Sequence, residues 1–192
     1  MIISGSEQTE VSDEALLLRY QRGERDAFVT LLRRYQVAVY NFVLRQLGSA
    51  LSADEIAQEV FLGVARDAAH FDYETPFGTR LFAIAYRLVK DERARLPRRR
   101  WRQQSSGPPE SGLSSRDLSP QLLEESISSA VASLPEEQRD VYLLREVADL
   151  SFSEIAAVTR QSEPAVKVQM QHALQRLRLA LQDFDEYRRA LR

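Results

Sequence analysis

Apolar residues recur at spacings of three and four along most of this chain, and this spacing predicts helices with one buried face. The longest such pattern spans residues 26–47, and a second covers residues 163–181. No segment shows the sustained period-two alternation that is typical of a half-buried strand. The sequence therefore predicts an all-α fold. The two apolar stripes consist of Phe28, Leu31, Leu32, Tyr35, Val39, Phe42, Val43 and Leu47, and of Val166, Met170, Ala173, Leu174, Leu177 and Leu181.

Capping residues predict where several of these helices begin and end. Ser52 with Glu55, and Ser151 with Glu154, have the spacing of a capping box, so each serine is predicted to be an N-cap. The other predicted caps and stops are Ser12, Gly23, Gly48, Pro135 and Ser162, and Thr75-Pro76 is the predicted start of a helix that ends near Arg95.

Residues 97–121 are rich in serine, proline and glycine and lack an apolar period. This composition is typical of a flexible linker. It separates a predicted small helical domain at residues 1–96 from a second one at residues 122–192. In the second domain, residues 151–159 and the helix after Ser162 have the layout of a helix-turn-helix.

Composition and charge exclude several classes of function. The chain has no cysteine, which rules out disulfides and zinc–thiolate sites, and its net charge of −2 argues against a uniformly basic nucleic-acid binder. His70 and His172 are far apart in sequence, and no glycine-rich phosphate loop is present. No catalytic residue, metal site or cofactor is predicted. The N-terminus does not resemble a signal peptide and no apolar run has membrane-spanning length, so a cytoplasmic protein without membrane insertion is expected.

The exposed face of the last helix is chemically able to contact bases. Glutamine can bond an adenine edge, lysine can reach guanine, and alanine or valine can touch a thymine methyl. The face has few cations for phosphate, and a helix pair that only packs is the alternative interpretation. The candidate DNA-contacting residues are Ser162, Ala165, Lys167, Val168, Gln171, His172 and Gln175.

Four segments in this order resemble the extracytoplasmic-function (ECF) class of bacterial RNA polymerase sigma factors. They are DEALLLRYQRGERDAFVTLLRRY, DEIAQEVFLGVARDAAHFD and FGTRLFAIAYRLVKDERARLPRRR before the linker, and LPEEQRDVYLLREVADLSFSEIAAVTRQSEPAVKVQMQHALQRLR after it. The resemblance implies an alternative sigma factor that binds core RNA polymerase, through its clamp helices and flap, and directs promoter-specific initiation. It implies −10 recognition and melting by residues 1–96, −35 binding by residues 122–192, and inhibition by an anti-sigma protein.

The resemblance also assigns roles to particular residues. The helix that would dock on the polymerase clamp helices carries Glu55, Gln58, Glu59, Phe61 and Leu62, and a solvated acidic face is the alternative. For the −10 element, an aromatic ring could stack on an unpaired base, although such rings often only close a core. A basic segment that follows would contact the DNA backbone. The −10 candidates are Phe71, Tyr73, Phe77, Arg80, Arg87, Lys90 and Arg93.

Several positions depart from the pattern of that class. Arg80 stands where a tryptophan is usual and Arg87 where an asparagine is frequent, so an altered −10 preference is expected. In the second domain, Pro164-Ala165 replaces the usual Gly-Thr. Positions expected to be basic are Gln169, His172 and Leu174. These losses predict an unusual −35 sequence or a heavier dependence on the −10 contacts.

Two other classes of function compete with this interpretation. One is a stand-alone helix-turn-helix regulator, or a sigma-like protein that occupies polymerase without productive initiation. The other is an enzyme, for which Asp54, Glu55 and Glu59 offer carboxylates without further metal-ligand partners. Polymerase binding and transcription distinguish the first class, and nucleotide turnover without polymerase would support the second.

Overall fold

The computed structural model describes residues 11–71, 74–103 and 120–182, with side chains for 11–71, 74–95 and 125–182. Within these ranges the chain is helical and contains no strand, which confirms the predicted all-α class. The helices are α1 (Asp13–Gln21), α2 (Arg25–Leu47), α3 (Ala50–Asp67), α4 (Phe77–Gln103), α5 (Pro120–Ala132), α6 (Glu136–Glu146), α7 (Phe152–Thr159) and α8 (Glu163–Ala180).

The first half of the chain builds its core where α2, α3 and α4 meet. The predicted stripe of α2 is confirmed, because Leu31, Val39, Phe42 and Val43 are fully buried and its other members pack against them. Phe42 contacts Phe82 of α4 edge-to-face, with ring centroids 5.6 Å apart. This geometry suits the ring quadrupoles and fixes α2 against α4.

Local capping sets most helix boundaries as predicted. Ser12 caps α1, Ser162 caps α8, and Gly48 ends α2 in the left-handed conformation at φ 67°. Ser151 and Glu154 form the predicted capping box at the start of α7. Arg160 ends α7 at φ 57°, and this turn directs the chain into α8.

Three local predictions are wrong. Helix α3 begins at Ala50 and is capped by Ser49, whose hydroxyl accepts from the Ser52 amide, so Ser52 is inside the helix. Leu174 is 45% exposed, because the buried stripe of α8 follows Met170, Ala173 and Leu177 and leaves it on the outer side. Helix α4 continues to residue 103, whereas Pro97 led to the prediction that this helix ends near Arg95. A proline removes one helical hydrogen bond, which a long helix can tolerate as a local kink.

The two halves of the described chain pack directly against each other. Helix α4 contacts α7, and α2 contacts α5 and α6. Residues 104–119 belong to the predicted linker and lie outside the described residues. Residues 183–192 lie outside them as well. The packing between the halves was not predicted from the sequence, and it determines which candidate residues are accessible.

Candidate functional site

An apolar groove of about 610 Å³ lies between α2 and α3. Phe61 is buried at 9% exposure in its wall, whereas Leu62 and Val37 are 57% and 62% exposed. Exposed large apolar residues around one groove are unusual on a monomer surface and are typical of a protein-binding site. Three of the predicted polymerase contacts, Gln58, Phe61 and Leu62, line this groove. Its other lining residues are Phe28, Leu32, Gln36, Tyr40, Asp54, Ala57 and Ala65.

The acidic members of the same predicted set lie on the exposed side of α3. Glu55 and Glu59 are both exposed, and Glu59 forms a surface ion pair of 2.6 Å with Arg66. An exposed pair of this kind contributes little to stability, so Glu59 can exchange its partner at small cost. The groove itself is lined by one carboxylate and one amide of α3, Asp54 and Gln58, and the exposed Glu55 and Glu59 lie on the same helix.

The aromatic candidates for the −10 contact are divided by burial. Phe71 and Phe77 are 8% and 2% exposed, and their rings lie 6.1 Å apart in a stacked arrangement. Both rings therefore fill the core in this conformation, as the alternative interpretation held. Arg80 packs its guanidinium 5.1 Å from the Phe71 ring. Tyr73 lies outside the described residues.

The basic candidates on α4 point toward the second half of the chain. Arg87 and Lys90 are exposed and line a cleft of about 550 Å³ between α4 and the end of α7. Arg93 is only 14% exposed and bonds acidic residues of α6. The full lining of this interdomain cleft is Ala83, Ile84, Tyr86, Arg87, Lys90, Asp91, Ala157, Val158, Thr159 and Arg160.

A buried polar cluster joins the two halves and was not predicted from the sequence. The Asp140 carboxylate, 2% exposed on α6, accepts from Gln46 Nε2 at 3.0 Å and from an Arg93 nitrogen at 2.9 Å. Arg93 also donates to the Gln46 side-chain carbonyl. Burial, followed by the charge of Asp140 and a hydrogen bond to it, raises the pKa of the Tyr86 hydroxyl. We call these four residues the Asp140 cluster.

The sequence did contain a signal for this cluster. Gln46 occupies a position of α2 next to the apolar stripe, and Asp140 adjoins Val141, Leu143 and Leu144, which are fully buried on α6. A polar residue on an apolar face requires a partner, because an unpaired buried group costs free energy. The partner of each could not be identified without the packing of the two halves.

A second polar contact joins α4 to α7. Thr79, 4% exposed, donates its hydroxyl to Glu154 Oε1 at 2.6 Å. Partial burial acts to raise the pKa of Glu154, but hydrogen bonds from Ser151 and Thr79 outweigh it and hold that pKa below its ordinary value. The capping residue of α7 is thus also an interdomain contact.

The predicted DNA-contacting face of α8 remains open. Ser162, Lys167, Val168, Gln171, His172 and Gln175 are exposed, and Ala165 is half-buried. Lys167 forms an ion pair of 2.7 Å with Glu163 one turn earlier. Gln169 points elsewhere and donates to Glu137 of α6 at 3.1 Å. The structure therefore gathers the predicted set on one side of α8.

Neither a metal centre nor a membrane segment is evident among the described residues. No group of three histidine, aspartate or glutamate side chains there is placed to hold a metal ion. Across the same residues, no helix combines the length and the apolar character needed to cross a membrane.

Comparisons with known proteins match both halves of the chain. The family model for sigma-70 region 2 matches residues 31–102, and the model for sigma-70 region 4 matches residues 124–177. The chain is 28% identical over 193 residues to the RNA polymerase sigma-H factor of Pseudomonas aeruginosa, covering 91% of this chain and 96% of that protein. It is 27% identical over 179 residues to the ECF RNA polymerase sigma factor SigW of Bacillus subtilis, covering 85% and 93%.

Solved structures agree with these relatives. CnrH in complex with the cytosolic domain of CnrY is similar with a TM-score of 0.67 and 26% identity, covering 90% of this chain and 98% of that one. The sigma factor RpoE of Bartonella quintana, solved in complex with the anti-sigma factor NepR, shares the fold with a TM-score of 0.68 at 17% identity, covering 81% and 96%.

These matches place the chain among the sigma-70 RNA polymerase sigma factors, a family of proteins that are not enzymes. Within that family the chain belongs to the ECF class and is an alternative sigma factor of transcription initiation. The resemblance found in the sequence is thereby confirmed.

Proposed function

We propose that this chain binds core RNA polymerase through the groove between α2 and α3. The observation that carries the proposal is the groove itself, whose wall exposes Leu62 and Val37 beside buried Phe61. An apolar wall that also includes Asp54 and Gln58, with Glu55 and Glu59 exposed on the same helix, suits a basic helical partner such as the polymerase clamp helices. The protein acts without catalytic chemistry or a cofactor of its own, and works in the cytoplasm, where polymerase is found.

The bound protein directs the polymerase to promoters with two DNA contacts. Residues 1–96 contact and melt the −10 element, through the cations Arg80, Arg87, Lys90 and Arg93. Because Phe71 and Phe77 are buried, Tyr73 is the aromatic residue that we propose stacks on an unpaired base. Residues 122–192 contact the −35 element through the exposed face of α8, while residues 97–121 connect the two domains. An anti-sigma protein is a further proposed partner, supported by the similar sigma factors that were solved in complex with anti-sigma factors.

Run-off transcription on fragmented genomic DNA tests this function directly. Core RNA polymerase is assayed with and without the protein, and the 5′ ends of the transcripts are sequenced. New start sites that share paired upstream elements are expected. Co-elution with polymerase but no new starts would instead indicate a sigma-like occupant or a missing activator. The absence of both new starts and co-elution would contradict the proposed function.

A matched pair of variants tests the groove. Leu62→Ser changes an exposed leucine in the groove, and Leu51→Ser changes a 71% exposed leucine of the same helix outside it. Leu62→Ser is expected to weaken co-elution with core polymerase by about tenfold, because an apolar contact of this size is worth about 1.5 kcal/mol. Equal binding by both variants would show that the polymerase contacts a different surface.

A further inference from the structure

Helix α1 forms a hydrogen bond to each end of the chain that connects α3 to α4. At the first end, Gln21 Nε2 donates to the Ala68 carbonyl oxygen at 2.7 Å, and the same oxygen accepts from the Phe71 amide at 3.3 Å. At the other end, the Phe77 amide donates to Glu14 Oε1 at 3.5 Å. Glu14 and Gln21 are about two helical turns apart, so they lie on the same side of α1. One helix therefore holds both ends of this connection.

The bond to Glu14 supplies an acceptor that α4 itself cannot provide. Phe77 is the first residue of α4, and the first amides of a helix have no acceptor within that helix. The Glu14 carboxylate provides the acceptor from another helix, and its negative charge suits the positive end of the α4 dipole. The start of α4 is therefore fixed by a side chain 63 positions earlier in the chain.

Aromatic packing joins the two anchored ends into one unit. The Phe71 and Phe77 rings are stacked 6.1 Å apart, and the Arg80 guanidinium lies 5.1 Å from the Phe71 ring. All three residues are predicted −10 contacts, and we call them the −10 corner. Tyr73, which is proposed to stack on an unpaired base, lies between Phe71 and Phe77 in the sequence. The −10 corner therefore sets where Arg80 is held and where the segment with Tyr73 begins and ends.

Tyr35 and Asp13 hold the same corner at the start of α4. The Tyr35 ring lies 5.4 Å from the Phe77 ring, and its hydroxyl donates to the Asp13 carboxylate of α1. Burial, followed by this hydrogen bond, raises the pKa of the Tyr35 hydroxyl, so the hydroxyl stays a donor. A Cβ at Gly78 would lie 3.2 Å from the Tyr35 hydroxyl oxygen, which is tighter than an ordinary contact. Glycine at this position therefore permits the close approach.

We propose that Glu14 and Gln21 are positioning residues for promoter melting, which fix the −10 corner although neither contacts DNA. The inference rests on the proposed function, since it concerns the same −10 contact. A preorganised protein surface loses less conformational freedom on capturing a base than one that becomes ordered only on binding. Helix α1 is held in the core by the buried residues Leu16 and Leu17, so loss of either anchor leaves the helix in place.

Paired substitutions separate each hydrogen bond from the shape of its side chain. Gln21→Glu keeps the shape, but a carboxylate cannot donate to the Ala68 carbonyl. Glu14→Ala removes the acceptor for the Phe77 amide, whereas Glu14→Gln keeps an acceptor oxygen without the charge. Arg19→Ala is the control, because Arg19 is exposed on the same helix and its side chain has no hydrogen bond or ion pair within the described ranges.

Hydrogen–deuterium exchange on the free protein measures the anchoring without polymerase. Exchange in a peptide that covers residues 68–80 is expected to be at least about threefold faster in Gln21→Glu and in Glu14→Ala than in the wild type. The control should exchange at the wild-type rate. Unchanged exchange in both anchor variants would overturn the anchoring.

Open-complex formation by core polymerase carrying each variant measures the consequence for DNA. Permanganate reactivity of −10 thymines, on a promoter identified by run-off transcription, should develop about tenfold more slowly with Gln21→Glu and with Glu14→Ala, the effect of losing one hydrogen bond. Glu14→Gln should recover most of the wild-type rate. Affinity for core polymerase and for a −35 duplex should stay within about twofold of the wild type in every variant, because α1 lines neither contact.

Two results in the transcription assay would overturn the positioning role. One is an opening rate within about twofold of the wild type in both anchor variants. The other is a loss of polymerase affinity equal to the loss of opening, which would show that the substitutions destabilise the first domain as a whole. Failure of run-off transcription by the wild type would instead contradict the proposed function, and the exchange measurement distinguishes that failure because it is made without polymerase.

Discussion

Helices α4 and α8 are the two proposed DNA-contacting elements, and they differ in charge and in accessibility. Helix α4 has the cations, but Arg93 is 14% exposed and bonded to Asp140, and Arg87 and Lys90 face the interdomain cleft. Helix α8 is open to solvent, but the lysine on its candidate face is paired with Glu163. Charge in the sequence therefore does not measure charge available to DNA. Packing between domains decides how much of it can be used.

The largest expected difference between the two helices concerns stability. Phe82→Ala in α4 removes a fully buried ring that contacts Phe42, and should lower the free energy of unfolding by about 3–5 kcal/mol. Met170→Ala in α8 should cost about 2 kcal/mol, because Met170 is flexible and 7% exposed. Urea denaturation followed by circular dichroism measures both free energies of unfolding. Equal losses would show that Phe82 and Met170 contribute equally to their cores.

The cations of α4 should dominate the affinity for promoter DNA once polymerase is bound. Replacing Arg87 and Lys90 together by alanine removes two charged contacts of about 1.5 kcal/mol each, so affinity should fall about a hundredfold. The slope of log affinity against log salt should decrease by about two. The control is Arg19→Ala with Arg22→Ala, which removes the same charge from two exposed positions at the C-terminal end of α1. An unchanged slope would place the phosphate contacts elsewhere.

The exposed face of α8 should determine −35 preference with a smaller effect. Gln171→Ala removes a side chain able to bond an adenine edge, and should cost about 1 kcal/mol, or about fivefold, at the preferred base. Gln169→Ala is the matched control, because Gln169 bonds Glu137 instead of facing outward. Start-site sequencing with each variant measures the preference. Identical promoter selection by Gln171→Ala would exclude Gln171 as a base contact.

Acid should weaken the contact between α4 and α7. The pKa of Glu154 is lowered in the folded protein, so its carboxylate stabilises the fold above the ordinary value of 4.5, and this stabilisation is lost as pH falls through the lower folded pKa. Glu154→Gln should lower Tm by about 1–2 °C at pH 7, because the contact is partly solvated. The difference from wild type should narrow toward pH 4. A difference in Tm that does not change with pH would mean that the charge of Glu154 does not stabilise the fold.

The smallest expected effect is at the lysine of α8. Glu163→Gln releases Lys167 from its ion pair and removes a negative charge near the DNA, so −35 affinity should rise about twofold. Fluorescence anisotropy with a −35 duplex measures the change. If affinity falls instead, Glu163 itself contributes to the DNA contact or to the start of α8.

The sequence by itself determined the helices, because their signals are local. The apolar stripe of α2, the capping box of Ser151 and Glu154, and the stop at Gly48 depend on residues within one or two turns. The prediction of Ser52 as the N-cap failed because Ser49, three residues earlier, also has a competent hydroxyl and caps the helix instead. The predicted all-α class and the family resemblance needed no more than such local patterns and their order.

Only the tertiary structure decided which of the candidate side chains are accessible. Phe71 and Phe77 became core residues, and Arg93 became a partner of Asp140, through contacts with positions far away in sequence. The sequence shows that Gln46 and Asp140 are polar residues on apolar faces, but not that they meet. Burial and pairing depend on the packing of whole helices, since a side chain's solvation is set by every element around it.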